Sequence, residues 1–292
     1  MTVVIGLPRD ERATAAAHLG ALVARSLGED VVVVNVVPRP WPAGPGKIDT
    51  EYRRFLDDSA REALDEGREL VPADVPASYE VRQARSTAAG LLDAATEHSA
   101  SLVALGSSAA SVLGRVAFGS VAERLLHMSP LPVALAPRGY RARPGTRLTQ
   151  LTAAFAAAEG TEDAVLTAAG LATSAGATLR VASFALRART PLTAGVGSRA
   201  EDAVLQAWES DVRQSQQELL ARIAELPAPP PVDAVIGRGA DWAAAVETIG
   251  WDEGSLLTIG SSSLGPVARV FLGSRASKIV RHSPAPVLVL PR

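Results

Sequence analysis

GSSAASVLGRVAFGS, residues 106–120, returns as GSSSLGPVARVFLGS at residues 260–274, and this repeat determines the architecture of the chain. Extended to the end of each copy, residues 106–138 and 260–292 align over 33 positions without a gap, and 14 of those positions are identical. A chance alignment in so biased a composition gives about 3 or 4 identities. Upstream, residues 13–37 correspond to residues 163–185. The sequence therefore predicts a duplicated unit.

Each copy alternates between patterns typical of strands and of helices. In the first copy, strand-like runs occupy residues 2–6, 31–37, 78–84, 101–106 and 132–137. Helical periodicity separates them at 13–27, 51–70, 87–98 and 120–128. The second copy repeats this order, with a longer helix at 201–226. Such alternation predicts an α/β chain of two doubly wound domains in tandem, each a five-stranded parallel sheet with helices on both faces.

The join between the copies is GYRARPGTR, residues 139–147. A segment dominated by glycine, proline and arginine buries no apolar face of its own, so we expect an exposed linker here. The predicted domains are then residues 1–138 and residues 148–292.

Composition and charge exclude several classes of function. A formal net charge of −2 provides no basic field for nucleic acid or an anionic membrane. The absence of cysteine excludes disulfides, thiol catalysis and cysteine-ligated zinc, and fits a reducing cytoplasm. The first residues, MTVVIGLPRDER, lack the pattern of a signal peptide. The four histidines show no metal-type spacing. We expect a cytoplasmic protein without a metal, nucleic-acid or membrane partner.

The repeated stretch carries the candidate site chemistry. Gly106 and Gly260 each follow an apolar strand, where ligands of open parallel sheets bind. Gly119–Ser120 and Gly273–Ser274 stand at predicted helix starts, whose free N–H groups and dipole attract anions. Glycine-serine before a helix is also ordinary N-cap chemistry. Both interpretations remain open on the residues alone.

The full pattern resembles the universal stress protein family, whose nucleotide-binding members carry G-x-x-G, nine residues, then G-[S/T]. The resemblance covers both copies, including the endings SPLPVALAP and SPAPVLVLP. It implies a flavodoxin-like, adenine-nucleotide alpha-hydrolase-like sheet in each half. It also implies self-association of the two final strands, which would make an internal pseudo-dimer. An unpaired apolar end strand would invite aggregation, which supports this pairing.

The resemblance also implies a set of nucleotide-binding positions, from which the chain departs. Those positions are Val36, Gly106, Ala109, Gly119, Ser120, Gly260, Ser263, Gly273 and Ser274. Ala109 and Ser263 replace the family's second glycine. Pro8 stands where binding members carry an aspartate, and the second copy has Phe155 or Ala156 there, although Asp10 lies close by. The first copy is the better candidate, because Phe184 in the second would fill part of its pocket.

Two functions are compatible with these residues. The first is a stress-response protein that binds ATP weakly and acts by nucleotide-gated association. Any ATP hydrolysis would be slow, because no residue is placed as an evident base for water. The second is an interaction scaffold of the same fold in which the repeated loops have become structural. The absence of G-x-G-x-x-G, G-x-S-x-G and Walker motifs argues against dinucleotide enzymes, hydrolases and P-loop proteins.

Overall fold

The computed structural model describes residues 1–38, 47–156, 161–186, 198–261 and 273–291. The first half contains, in order, β1 (Thr2–Gly6), α1 (Arg12–Leu27), β2 (Asp30–Pro38), α2 (Lys47–Leu70), β3 (Ala77–Ala84), α3 (Thr87–Glu97), β4 (Ala100–Gly106), α4 (Ser120–Met128) and β5 (Val133–Ala136). The second half contains β6 (Gln150–Ala154), α5 (Thr161–Ala175), β7 (Thr178–Leu186), α6 (Ser198–Ala224), β8 (Val232–Gly239), α7 (Trp242–Glu247), β9 (Ser255–Gly260), α8 (Ser274–His282) and β10 (Val287–Leu290). The predicted alternation is confirmed in both halves.

The strands form one ten-stranded sheet in the order β3-β2-β1-β4-β5-β10-β9-β6-β7-β8. All neighbours are parallel except β5 and β10, which run antiparallel with Val133 opposite Val289. Each half is thus a five-stranded parallel sheet, and the two final strands join the halves. The doubly wound fold and the internal pseudo-dimer are confirmed. Both edges of β5 and of β10 are paired within the chain.

The valine run of β2 shows why the sheet is covered on both faces. Val31 and Val33 belong to the core that contains α1, α2, α5 and α6. Val32 and Val34 point to the opposite core, which contains α3, α4, α7 and α8. Successive strand residues alternate between faces, so a near-continuous apolar run is stable only where both faces are buried. All four valines are buried.

The linker between the halves is mostly exposed, but it also packs against a distant helix. Most of its residues are exposed, but Ala142 is buried and the segment lies across α1. His18 of α1 contacts the Ala142 carbonyl through Nδ1 at 3.1 Å, and Arg25 donates to the Thr146 carbonyl at 2.9 Å. Side chains of a distant helix satisfy the linker's backbone, which local composition does not reveal. Helices α1 and α5 also pack together across the junction.

Among the described residues, no helix has the length and apolar composition needed to cross a membrane.

Candidate functional site

A cleft of about 380 Å³ opens at the carboxyl ends of the first-half strands. It lies where β1 separates β2 on one side from β4 on the other, so the order of strands along the chain reverses there. Ligands of doubly wound sheets bind at such switch points, and this volume falls in the range of small-molecule sites. The lining comes from residues 6–10, 12, 34–36, 87, 91, 105, 106, 108 and 119–122.

The repeated loop is ordered by its own hydrogen bonds. The Ser107 hydroxyl accepts from the Ala117 N–H at 2.7 Å and donates to the Ala117 carbonyl at 3.1 Å. The Ser108 N–H donates to the same carbonyl at 2.9 Å. Arg138 donates to the Ser111 carbonyl from the far side of the loop. These bonds close the loop and bring Gly119 back beside Ser108.

The start of α4 presents free donors to the cleft. Gly119 is the N-cap, and no side chain caps the helix. The first backbone bond of this turn runs from the Glu123 N–H to the Gly119 carbonyl, which leaves the N–H groups of residues 120–122 without helical partners. The Ser120 hydroxyl is exposed and meets no partner among the described residues. Ser120 therefore does not cap the helix, and the turn is equipped to bind an anion.

The two glycines of this frame serve different purposes. A Cβ on Gly106 would lie 2.6 Å from the Arg12 carbonyl oxygen, so this glycine lets α1 pack against the end of β4. A Cβ on Gly119 would lie 3.7 Å from the nearest atom, the Ser108 Cβ, and φ there is −99°. None of the described residues therefore requires glycine at 119. The free space beside it opens into the cleft.

The loop after β1 is rich in charge. Asp10 accepts from Arg12 Nε at 2.7 Å and from Nη2 at 2.6 Å. This hydrogen-bonded pair holds the pKa of the Asp10 carboxyl below its ordinary value. Asp10, the acid nearest in sequence to the position of the missing aspartate, is thus already paired. Pro8 lines the same wall and supplies no carboxylate.

The inner end of the cleft is apolar. Val36 at the end of β2 and Leu91 on α3 line it, and α3 approaches closely because Gly90 faces Val36. The cleft therefore brings together Val36, Gly106, Gly119 and Ser120 of the predicted first-copy positions. Ala109 is exposed, does not line the cleft, and is not among the residues with positive φ. The backbone at 109 therefore does not demand glycine in this structure.

The second half carries aromatic side chains at two positions equivalent to lining residues of the cleft. Phe184 takes the place of Val36 on β7, and its ring centroid lies 6.4 Å from that of Trp242 at the start of α7. Gly260 ends β9, where a Cβ would meet the Ala164 side chain. Gly273 is the N-cap of α8 and Ser274 its first residue. Ser263 lies outside the described residues.

The lining residues that were not predicted from the sequence include Arg9, Arg12 and Thr87. Arg9 and Arg12 stand in PRDER directly after β1, and Thr87 follows the N-cap Ser86. The sequence did contain a signal for the two arginines, because they directly follow β1, the strand beside which the strand order reverses. Within the described ranges, no group of three or more acidic, histidine or cysteine side chains could hold a metal ion.

Comparison with known proteins identifies the family. The universal stress protein family profile matches residues 1–137 and 151–291. The chain belongs to the universal stress protein family. A universal stress protein of Mycobacterium tuberculosis strain H37Rv is 40% identical over 296 residues, which cover 100% of both chains. The same values hold for a universal stress protein of Mycobacterium bovis.

Two solved structures share the fold over the whole length of this chain. A universal stress protein from Archaeoglobus fulgidus superposes with a TM-score of 0.66 at 19% identity, covering 100% of this chain and 98% of that one. A Pseudomonas aeruginosa protein of unknown function gives a TM-score of 0.57 at 15% identity, with coverage of 99% and 92%. At these identities the likeness shows the fold alone.

Proposed function

We propose that this universal stress protein is a cytoplasmic stress-response protein that binds an adenine nucleotide in the first-half cleft. The observation that carries the proposal is the free first turn of α4, which faces a cleft with an apolar inner end. Phosphate would bind the unpaired N–H groups and the Ser120 hydroxyl, and the base would pack on Val36 and Leu91. The unused space beside Gly119 is the room that a phosphate needs.

Affinity for ATP is expected to be weak. Pro8 offers neither a carboxylate nor an N–H to the nucleoside, and Ala109 stands away from the cleft. Lost contacts of this kind cost about 1–3 kcal/mol each, so two together weaken binding about a hundredfold or more.

The protein would act by nucleotide-gated association and not by turnover. Among the described residues, Asp10 is the one carboxylate that lines the cleft, and its paired, low-pKa state makes it a poor base. Hydrolysis would therefore lack a group that activates water.

Calorimetric titration with ATP tests the proposal directly. Gly119→Leu places a side chain in the anion-binding space and should abolish the binding heat. The matched control is Gly170→Leu, because a Cβ at Gly170 meets no atom within 4 Å and the residue lies on α5, outside the cleft. Absence of binding to the wild-type protein at millimolar ATP would contradict the proposal. The protein would then be an interaction scaffold that binds no nucleotide, and the repeated loops would be structural.

A further inference from the structure

The loop between β1 and α1 gives the cleft a second group of anion-binding residues. Arg9 and Arg12 both line the cleft, with Asp10 as the carboxylate between them. Asp10 uses both oxygens for the Arg12 guanidinium, and one oxygen also accepts the Arg12 backbone N–H at 3.0 Å. Arg9 meets no carboxylate among the described residues. Glu11, the other acid of this loop, is not among the lining residues and pairs with Arg138. The three lining residues Arg9, Asp10 and Arg12 therefore carry one positive charge in excess.

Arg12 is held in place but remains available to a ligand. Its bidentate pair with Asp10 fixes the plane of the guanidinium, and its side chain keeps 35% of its surface exposed. Nη1 of Arg12 makes no hydrogen bond to the described residues. The contact of the Arg12 carbonyl with Gly106 places the start of α1 at the end of β4. The two arginines and the first turn of α4 therefore line the same cleft, although they belong to different elements.

The positive charge of the loop between β1 and α1 affects which ribose substituents the cleft would bind. In doubly wound nucleotide-binding folds, a carboxylate accepts hydrogen bonds from the ribose hydroxyls, whereas an arginine accommodates a phosphate on the ribose. The aspartate that nucleotide-binding members of the family carry after the first strand is replaced here by Pro8, and the nearest acid, Asp10, is paired with Arg12. The wall of the cleft at this loop is thus cationic.

We propose that the first-half cleft prefers adenosine bisphosphates, which carry one phosphate at the 5′ position and a second on the ribose ring. This inference rests on the proposed function. The 5′ phosphate binds the first turn of α4, and the ribose phosphate binds Arg9 and Arg12. Arginine pairs bidentately with phosphate, so each guanidinium can hold two oxygens at once.

The test is a calorimetric comparison of 5′-AMP, ADP, adenosine 2′,5′-bisphosphate and adenosine 3′,5′-bisphosphate with the full chain. ADP is the essential control, because it has the same number of phosphates with both at the 5′ position. One of the bisphosphates should bind about tenfold more tightly than ADP. The preferred isomer shows which ribose carbon faces the loop.

Arg12→Gln separates this role from general attraction of anions. The variant removes the guanidinium and frees Asp10 for ribose hydroxyls, so the bisphosphate preference should fall below about threefold while 5′-AMP binds at least as well. Arg61→Gln is the matched control, since Arg61 is an exposed α2 residue paired with Asp58 outside the cleft. Arg9→Gln provides a second variant with no ion pair to lose, and it should reduce the preference in part.

The possible results distinguish the two proposals. If 5′-AMP and ADP bind but neither bisphosphate exceeds ADP, the ribose-phosphate preference is refuted and nucleotide binding stands. If Arg12→Gln weakens all four nucleotides equally, Arg12 contacts the 5′ phosphate and the preference is again refuted. If none of the four binds, both proposals fail together.

Discussion

Gly106 and Gly119 belong to one sequence pattern, yet the structure requires glycine only at the first. A Cβ on Gly106 would meet the Arg12 carbonyl oxygen at 2.6 Å, and backbone cannot move aside as a side-chain tip can. Gly106→Ala should therefore destabilise the fold by about 1–3 kcal/mol, as overpacking does. Urea denaturation measures the change.

Gly119→Ser is the control for this prediction. Serine is a good N-cap residue, and its Cβ would meet Ser108 only at 3.7 Å. Its stability should stay within about 0.5 kcal/mol of the wild type. Equal loss of stability in both variants would show that the two glycines do not differ in this way.

At the same scale, the sequence predicted some site residues and not others. Val36, Gly106, Gly119 and Ser120 could be found because the repeat and the strand pattern place them at the carboxyl edge. Arg9 and Arg12 were missed although they follow the first strand directly, because the strand pattern alone does not show that they line the cleft. Their place there depends on how closely α1 approaches β4, and packing against Gly106 sets that distance.

At the scale of elements, an ion pair between Glu209 of α6 and Arg238 of β8 links that helix to the sheet. Glu209 is 8% exposed and accepts from Arg238 of β8 at 2.7 Å, with Arg213 of its own helix as a second donor. These hydrogen bonds lower the pKa of Glu209 to about 2, and the one from Arg238 contributes most.

The sign of the resulting pH dependence follows from this shift. Because the folded-state pKa of Glu209 lies below the ordinary value of 4.5, the stabilisation is complete above pH 4.5 and is lost as pH falls towards 2. Both arginines are half exposed, so the contribution is about 1–2 kcal/mol. Glu209→Gln should lose that amount at pH 7 and show a shallower decline of stability below pH 4.5. An unchanged acid profile in the variant would contradict the assignment.

Local composition predicts the helices and strands but not how the linker packs. The alternation of periodicities predicted every helix and strand of both halves, because the core faces impose those periods. The linker was predicted as exposed from its glycine, proline and arginine content. Its packing depends on His18 and Arg25 of α1, more than a hundred residues earlier, and only the assembled sheet brings them together.

At the scale of the whole molecule, the halves preserve a common framework. Asn35 of β2 donates to the Leu7 carbonyl at 2.9 Å, and Ser183 of β7 donates to the equivalent Phe155 carbonyl at 2.9 Å. In both halves a polar residue of the second strand thus fixes the end of the first. The halves differ in the side chains above that point, since Val36 corresponds to Phe184 and Thr87 to Trp242.

This difference predicts one nucleotide per chain. Phe184 and Trp242 stand at the positions that Val36 and Thr87 hold in the first half, and their rings pack on the core 6.4 Å apart. We expect aromatic side chains at these positions to leave too little room for a nucleotide. Calorimetry should therefore give a stoichiometry near 1. Gly119→Leu should eliminate the binding heat, whereas Gly273→Leu, the equivalent N-cap change at α8, should leave it intact. A stoichiometry of 2, or a halved binding heat in Gly273→Leu, would show that both halves bind a nucleotide. Each of those results requires a ligand at the first turn of α8 in the second half.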